Sequence, residues 1–161
     1  VVCFPEGTAP TSEKIKKTQE AVAAGAKEID MVLNRDLLKA KKYSEVLQDI
    51  KGVVEASGGA PVKVILETSE LNREEKAIAC ALSKIAGAAF VKTSTGFSKS
   101  GATEEDVRLM RQIVGPEMGV KASGGVRSHE DAVKMVSAGA SRLGTSASVA
   151  IVSGAQSQSS Y

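Results

Sequence analysis

Short runs of apolar residues alternate along the chain with longer segments in which apolar positions recur every three or four residues. The short runs have the length of buried strands, and the longer segments have the period of helices that pack on a sheet through one face. Such units follow one another at roughly 25 to 30 residues, which is typical of parallel strands joined by crossover helices. Six strands are therefore predicted, over residues 1–5, 28–33, 62–66, 89–92, 118–121 and 142–144.

Polar residues at the starts of the longer segments predict where the helices begin. Asn72 with Glu75, and Ser128 with Asp131, have the spacing of a capping box, and Thr103 precedes a run of acids in the same way. Helices are expected to start immediately after these residues.

The apolar positions also predict which face each helix turns towards the sheet. Val133 and Val136 are expected to point inward from the last long helix. Ile78, Leu82 and Ile85 are expected to do so from the helix that begins near residue 72. The first helix is expected to be capped by Thr11 or Ser12 and to expose its lysines.

Two architectures fit this order of elements. An open doubly wound sheet would bind its ligand with a glycine-rich turn after the first strand. Here the glycine-rich loops follow the last two strands, where an α/β barrel places its phosphate site. We therefore predict an α/β fold of the (β/α)8 TIM-barrel type, with about six of the eight βα units. Residues 1–152 are expected to form one partial barrel domain, with upstream structure missing, and residues 153–161 a flexible tail.

The composition is that of an ordinary soluble protein and disfavours several classes. The 161 residues include 21 basic and 19 acidic side chains, and 3% are aromatic, so nucleic acid is not an expected partner. No run reaches the roughly 18 apolar residues of a membrane span, and no signal peptide is recognisable. Cys3 and Cys80 lack the spacing of a zinc site and would make a sparse disulfide framework, which favours a reducing, cytoplasmic setting.

Two predicted strands end in a lysine that is followed by small residues and glycine, Lys92 and Lys121. The carboxyl ends of barrel strands converge, so the two ammonium groups are expected to be neighbours. Lowering a lysine pKa from about 10.4 to near 7 requires about 4.6 kcal/mol, which burial and a second cation can supply. The deprotonated lysine could then form a Schiff base with a carbonyl compound. Alternatively, each lysine could bind phosphate or extend along the barrel rim.

Two carboxylates accompany these lysines at strand positions. Asp30 lies among apolar residues of the second predicted strand, where it would point into the barrel mouth and relay a proton or hold a charged lysine in place. An N-cap or an ion pair within the barrel is the structural alternative. Glu67 follows the third predicted strand and is expected to be a structural group of the mouth, with substrate contact as the alternative.

Loops that combine glycine with serine or arginine follow the last three predicted strands, and they lead towards helix starts. Glycine lets the backbone approach an anion, a helix N-terminus attracts it, and arginine adds charge. Each loop alone could be a structural turn, but adjacent loops in a barrel would form a phosphate cradle. The predicted phosphate-binding residues are Gly96, Gly124, Gly125, Arg127, Gly144 and Ser146.

Five segments together resemble the deoxyribose-phosphate aldolase family in order and spacing: EIDMV at 28–32, VILET at 64–68, FVKTSTG at 90–96, GVKASGGVR at 119–127 and GTS at 144–146. The resemblance implies that Lys92 forms the Schiff base, that Lys121 lowers the pKa of Lys92, and that Asp30 shuttles protons. It also implies that the six loop residues hold the substrate phosphate.

The reaction that this resemblance implies is the reversible cleavage of 2-deoxy-D-ribose 5-phosphate to D-glyceraldehyde 3-phosphate and acetaldehyde, in deoxyribonucleoside catabolism. No metal and no other cofactor is expected. A homo-oligomer, either a dimer or a tetramer, is expected as well. Tyr161 resembles a terminal tyrosine that some members use in proton transfer.

The chain departs from the family pattern at its start. The family's first two barrel strands, with an Asp-His-Thr segment, have no counterpart, and Cys3 stands where a small residue is common. A barrel without two strands would expose parallel edges. A catalytically inactive phosphate-binding fragment is therefore one alternative, and another Schiff-base sugar-phosphate lyase, such as a transaldolase-like enzyme, is the other.

Overall fold

Five parallel strands form the sheet of the computed structural model, which describes residues 1–154. Each strand is hydrogen-bonded to the strand that precedes it in the chain, so spatial order and chain order agree. A doubly wound sheet would reverse its strand order at a switch point, whereas sequential order is that of a barrel wall. The strands are β1 (Ile29–Val32), β2 (Val62–Ile65), β3 (Phe90–Lys92), β4 (Gly119–Ser123) and β5 (Arg142–Gly144).

The strand predicted at residues 1–5 is wrong, because this segment forms only one bridge. Val2 pairs with Met31, and the Val2 N–H donates to the Asp30 carbonyl at 2.8 Å. Cys3 then adopts a φ of +52°, in the left-handed region, and turns the chain away from the extended conformation that a ladder needs. Residues 1–154 therefore contain five strands and one bridge rather than six strands.

Helices pack on one face of this sheet, and the apolar core lies between the two layers. Side chains such as Met31, Val64, Val91 and Val120 project from the strands into that core and are fully buried. No helix within residues 1–154 combines the length and the apolar character needed to span a bilayer. The helices are α1 (Thr11–Ala23), α2 (Arg35–Lys39), α3 (Tyr43–Ala56), α4 (Arg73–Ile85), α5 (Glu104–Val114), α6 (His129–Ser137) and α7 (Ser148–Ser153), and Thr68–Glu70 forms a 3-10 turn.

Three of the predicted helix caps are confirmed. The side chains of Asn72 and Ser128 each accept a hydrogen bond from the backbone N–H of the third residue of their helix. The side chains of those third residues, Glu75 and Asp131, in turn accept a hydrogen bond from the backbone N–H of the cap residue. Thr103 caps α5 through its side chain. These caps depend on residues close in sequence, which is why the pattern alone located them.

The predicted cap of α1 is wrong, and so is the expectation that its lysines are exposed. The N-cap is Pro10, and the Thr11 hydroxyl instead donates to Asp49 on α3 at 2.8 Å. Lys14 is fully buried, with Nζ 2.5 Å from the Asp49 carboxylate and 3.2 Å from the carbonyl of Val32. The ion pair offsets part of the loss of hydration at both groups, so a buried charge pair contributes to the packing of α1 on α3.

The inward face predicted for α6 is also wrong, and that of α4 is wrong at its last residue. Val133 and Val136 are 49% and 56% exposed, while Ala132 and Met135 of the same helix are buried. In α4, Ile78 and Leu82 pack against the core as predicted, whereas Ile85, at the end of the helix, is 70% exposed. Apolar spacing defines a stripe on each helix, but the rotation of that helix on the sheet is decided by packing. Of the predicted tail, Ser153 is the last residue of α7, and residues 155–161, with Tyr161, lie outside the described residues.

Candidate active site

The charged side chains of the strands project from the sheet face opposite the helices. Neighbouring strand residues point to opposite faces, and Asp30 is flanked in β1 by apolar residues that are buried in the core. The strand register places Asp30 beside Lys63 and Lys92 beside Lys121. Charged side chains from four consecutive strands therefore meet on the face of the sheet that lies opposite the helices.

Asp30 is the shared partner of the two lysines predicted to carry the chemistry. The ammonium nitrogen of Lys92 lies 2.9 Å from Asp30 Oδ2, and that of Lys121 lies 3.9 Å from the same oxygen. Both lysine side chains are mostly buried. The structure thus brings together the three residues that the sequence analysis singled out on three different strands.

The Asp30 carboxylate is a strong acid in this setting. Burial by itself would raise the pKa of Asp30, but hydrogen bonds from Lys63 and Lys92 outweigh it and lower the pKa to about 2. Asp30 is therefore ionised at neutral pH and is a weak base. Of the two roles considered for it, holding a charged lysine in place agrees better with this electrostatic setting than relaying a proton.

The pKa of Lys121 is lowered at this site. Burial lowers the pKa of Lys121, and the charge of Lys92 lowers it further, while Asp30 opposes the shift in part. Lys92 has the closer counter-charge, because its hydrogen bond to Asp30 is the shorter contact. Lys121, the neighbour of the lysine expected to form the Schiff base, therefore gives up its proton more readily than a solvent-exposed lysine does.

Lys63 belongs to the same cluster and was missed in the sequence. Its side chain is 3% exposed, and its ammonium nitrogen lies 2.8 Å from both Asp30 Oδ1 and Glu28 Oε2. In sequence it is one lysine within an apolar strand and carries no motif. Only the pairing of β1 with β2 shows that it faces Asp30.

A cavity of about 470 Å³ opens above this cluster, at the carboxyl ends of the strands. Lys92 and Lys121 form part of its wall, and all six residues predicted to bind phosphate also line it. Asp30 contacts the lysines without lining the cavity itself. Lining residues that the sequence analysis did not name as ligands are Thr95, Ser98, Lys99, Ser100, Gly101, Ser123, Val126 and Thr145.

The start of α6 offers fewer donors to an anion than the sequence suggested. The backbone N–H groups of Arg127 and Ser128 both donate to the Asp131 carboxylate, each at 3.1 Å. These amides are therefore engaged by the capping box of the helix itself. An anion in the cavity must rely on the glycine loops and on cationic side chains instead.

Two of the cavity loops touch each other backbone to backbone, at Gly101 and Gly124. A Cβ atom on Gly101 would lie 2.1 Å from the carbonyl carbon of Gly124, and Gly124 has a φ of +78° that disfavours other residues. The Ala102 N–H also donates to the carbonyls of Ser123 and Gly124, at 3.1 and 2.9 Å. The contact joins loops that are distant in sequence, so no local pattern marked Gly101 as part of the site.

Within residues 1–154, no three His, Cys, Asp or Glu side chains come together as a group that could hold an ion. Cys3 and Cys80 are both free thiols.

Comparison with known proteins identifies related chains over nearly the whole sequence. A family model described as DeoC/LacD family aldolase matches residues 2–156. A deoxyribose-phosphate aldolase of Streptococcus sanguinis is 56% identical over 158 residues, which is 98% of this chain and 72% of that protein. One of Thermotoga maritima is 58% identical over 156 residues, 97% of this chain and 63% of that protein.

A solved structure gives the same picture for the fold. The tetrameric deoxyribose-phosphate aldolase from Aeropyrum pernix is 38% identical, with a TM-score of 0.86, over 94% of this chain and 64% of that chain. The present chain thus spans 63% to 72% of the length of these three relatives. Together with the sequential parallel sheet, the likeness confirms the predicted α/β fold of the TIM-barrel type.

Proposed function

Because this chain belongs to the DeoC/LacD family of aldolases, we propose that it catalyses the reversible cleavage of 2-deoxy-D-ribose 5-phosphate to D-glyceraldehyde 3-phosphate and acetaldehyde. The observation that carries the proposal is the pair of lysines, both within 3.9 Å of one Asp30 oxygen, in the wall of a cavity that also contains glycine loops and Arg127. This arrangement supplies an amine for covalent catalysis and a site for a phosphate group in the same pocket.

In the proposed mechanism, Lys92 is the nucleophile and Lys121 is the group that removes its proton. The lowered pKa of Lys121 makes its neutral form accessible, and the neutral amine can take a proton from the Lys92 ammonium. The Lys92 amine then attacks the substrate aldehyde carbon, and loss of water leaves a Schiff base. As the carbon–carbon bond breaks, its electron pair moves to the positively charged imine to give an enamine, and the C3 hydroxyl loses its proton to water and becomes the aldehyde of glyceraldehyde 3-phosphate. Protonation of the enamine at carbon and addition of water then release acetaldehyde and the Lys92 amine.

Asp30 is proposed to support proton transfer between Lys92 and Lys121. Its ionised carboxylate stabilises whichever lysine carries the charge, because both ammonium nitrogens lie close to Oδ2. Lys63 holds the other carboxylate oxygen at 2.8 Å and fixes its orientation. Removing Asp30 would leave three cationic side chains without their common counter-charge.

The substrate phosphate is proposed to lie at the loop end of the cavity. Arg127 and Lys99 line that region and supply positive charge. Gly96, Gly124, Gly125, Gly144 and Ser146 are the proposed backbone and hydroxyl contacts, as the family resemblance implied.

Borohydride trapping with acetaldehyde tests this proposal directly. Reduction of the Schiff base should leave an ethyl group on Lys92, identified by peptide mass mapping, and Lys92→Met should abolish the modification. Lys84→Met, which changes an exposed lysine of α4, is the matched control and should trap as the unchanged protein does. An adduct on Lys121 would exchange the two roles, and adducts spread over surface lysines would refute the mechanism.

Retro-aldol assays separate the proposed reaction from its alternatives. Turnover of 2-deoxy-D-ribose 5-phosphate, measured by the release of acetaldehyde, would exclude an inactive phosphate-binding fragment. A preference for ketose donors over acetaldehyde in the synthetic direction would instead favour a transaldolase-like lyase.

A homo-oligomer is also proposed, because the relative from Aeropyrum pernix is tetrameric. Light scattering of the purified chain tests it, and a monomer at all concentrations would contradict it. The cytoplasmic setting stays a prediction from the sequence.

A further inference from the structure

Glu67 is a buried carboxylate that the proposed chemistry does not use. It follows β2, is 3% exposed, and adopts a φ of +57°, a left-handed conformation that costs a non-glycine residue free energy. Within residues 1–154 it forms no ion pair with a lysine or arginine. A buried charge without a cation must recover its lost hydration through hydrogen bonds.

Among residues 1–154, all of the side-chain hydrogen bonds of Glu67 come from one loop, which runs from β3 towards α5. The Thr95 N–H donates to Oε2 at 3.2 Å, and the Thr95 hydroxyl donates to the same oxygen. The Ser98 hydroxyl donates to Oε1 at 2.7 Å, and it receives a further bond from Ser69 at 3.1 Å. The carboxylate thus binds both ends of the segment 95–98.

This loop forms one wall of the cavity. Thr95, Gly96 and Ser98 line it, and the loop continues through Lys99 to Gly101, which packs against Gly124. Glu67 itself does not line the cavity. Because its carboxylate is satisfied only when the loop is in place, the buried charge selects the conformation in which the loop closes the phosphate end.

We propose that Glu67 is a positioning residue that holds loop 95–101 in its anion-binding conformation. It thereby determines affinity for the phosphate group of the substrate without contacting the substrate. The inference deepens the proposed function and rests on it. Lys63 and Lys92 are held by hydrogen bonds to Asp30 and not by Glu67. The cleavage of the carbon–carbon bond should therefore be largely independent of Glu67.

The test compares Glu67→Gln with the unchanged protein on two substrates, 2-deoxy-D-ribose 5-phosphate and 2-deoxy-D-ribose. Glutamine has the shape of glutamate, but it offers one acceptor oxygen and no charge to three donors. The KM for the phosphorylated substrate should rise roughly tenfold or more, the effect of losing hydrogen bonds to a charged group. The kcat, and the kcat/KM for the unphosphorylated sugar, should change less than about twofold. Glu70→Gln, an exposed neighbour, is the matched control and should leave both unchanged.

A purely structural role predicts a different result, because a loosened fold would lower activity on both substrates equally. That outcome would overturn the inference. If Glu67→Gln does not fold, Ser98→Ala removes one of the same bonds from the loop side and should show the same selective rise in KM. An unchanged KM in a folded Ser98→Ala protein would then overturn it.

Binding of inorganic phosphate, measured by calorimetry, separates this inference from the proposed function. If the unchanged protein shows no turnover but binds phosphate more tightly than Glu67→Gln does, the proposed function fails and the positioning role stands. Equal phosphate affinity in the two proteins would refute the positioning role whatever the turnover.

Discussion

Arg142, at the start of β5, donates two hydrogen bonds to the carboxylate of Glu28, the residue that precedes β1, at 2.9 and 2.7 Å. These strands are the first and last in the sheet, so the pair joins its two ends across the interior. Lys63 lies 2.8 Å from the same carboxylate, and the Arg142 guanidinium lies 4.7 Å from the centre of the Phe90 ring. For residues beside the first and last strands to meet in this way, the sheet must curve. This curvature turns the charged side chains of the strands towards one another.

Glu28→Gln should lower the thermal midpoint near neutral pH and have no effect in strong acid. Hydrogen bonds from Arg142 and Lys63 lower the pKa of Glu28 from 4.5 to about 2. A lowered carboxylate pKa contributes stability that is complete above the unfolded pKa and is lost as the pH falls towards the folded pKa. The difference in midpoint between the two proteins should therefore be constant above about pH 5.5 and shrink towards pH 2.

Thermal unfolding followed by circular dichroism from pH 2 to pH 8 measures this difference. Glu20→Gln changes an exposed acid of α1 and should give a smaller difference. An equal loss of stability at pH 2 and pH 7 for Glu28→Gln would contradict the assignment to the ion pair.

Lys121→Arg should slow Schiff-base formation and move its pH dependence. Arginine keeps the positive charge but cannot accept a proton at accessible pH, so the Lys92 ammonium loses its proposed base. The rate of borohydride trapping at pH 7 should fall by roughly 100-fold or more, the usual contribution of a positioned acid or base. In the unchanged protein the rate should rise with pH through the lowered pKa of Lys121.

The pH profile distinguishes this role from a loss of folding. The variant's rate should begin to rise at a higher pH than that of the unchanged protein, while circular dichroism stays the same. Lys134→Arg, on the exposed face of α6, is the control. A variant with the original pH profile would show that Lys121 is not the proton acceptor.

Gly101→Ala should weaken phosphate binding and destabilise the protein together. The added Cβ would lie 2.1 Å from the carbonyl carbon of Gly124, so one of the two loops must move. Overpacking of this kind costs typically about 1–3 kcal/mol. Urea unfolding and the KM for the phosphorylated substrate measure the two effects. Ser100→Ala adds no atoms beside Gly124 and should leave the free energy of unfolding within about 0.5 kcal/mol of the original. Equal free energies of unfolding for the two variants would contradict the predicted effect of the contact.

Lys14→Met should destabilise the fold strongly, and a second change should restore it. Loss of Lys14 leaves the buried Asp49 carboxylate without its cation, which costs about 3–5 kcal/mol. Lys14→Met combined with Asp49→Leu removes both charges and should recover most of that free energy, because apolar packing replaces a buried pair at little cost. Urea unfolding measures all three proteins. A double variant as unstable as the single one would show that packing, and not the unpaired charge, is responsible.

The sequence by itself determined the features that depend on neighbouring residues. Apolar runs located β1 to β5, and capping residues located the starts of α4, α5 and α6, because both signals lie within a few positions of the element. The two strand-end lysines and the glycine loops were visible for the same reason. Parallel strands in sequential order then bring their carboxyl ends to one place, so Lys92, Lys121 and the six predicted phosphate ligands could be assigned to one cavity before their positions were known.

Only the tertiary structure decided which side chains meet across the sheet. Lys63 faces Asp30 because of the register between β1 and β2, and no pattern within either strand encodes that register. The same holds for the bonds of Glu67 to Thr95 and Ser98, and for the packing of Gly101 on Gly124. The lowered pKa of Lys121 depends on burial and on charged side chains from the four other strands. Burial and charge act through space, and the distances that set them exist only once the strands are side by side.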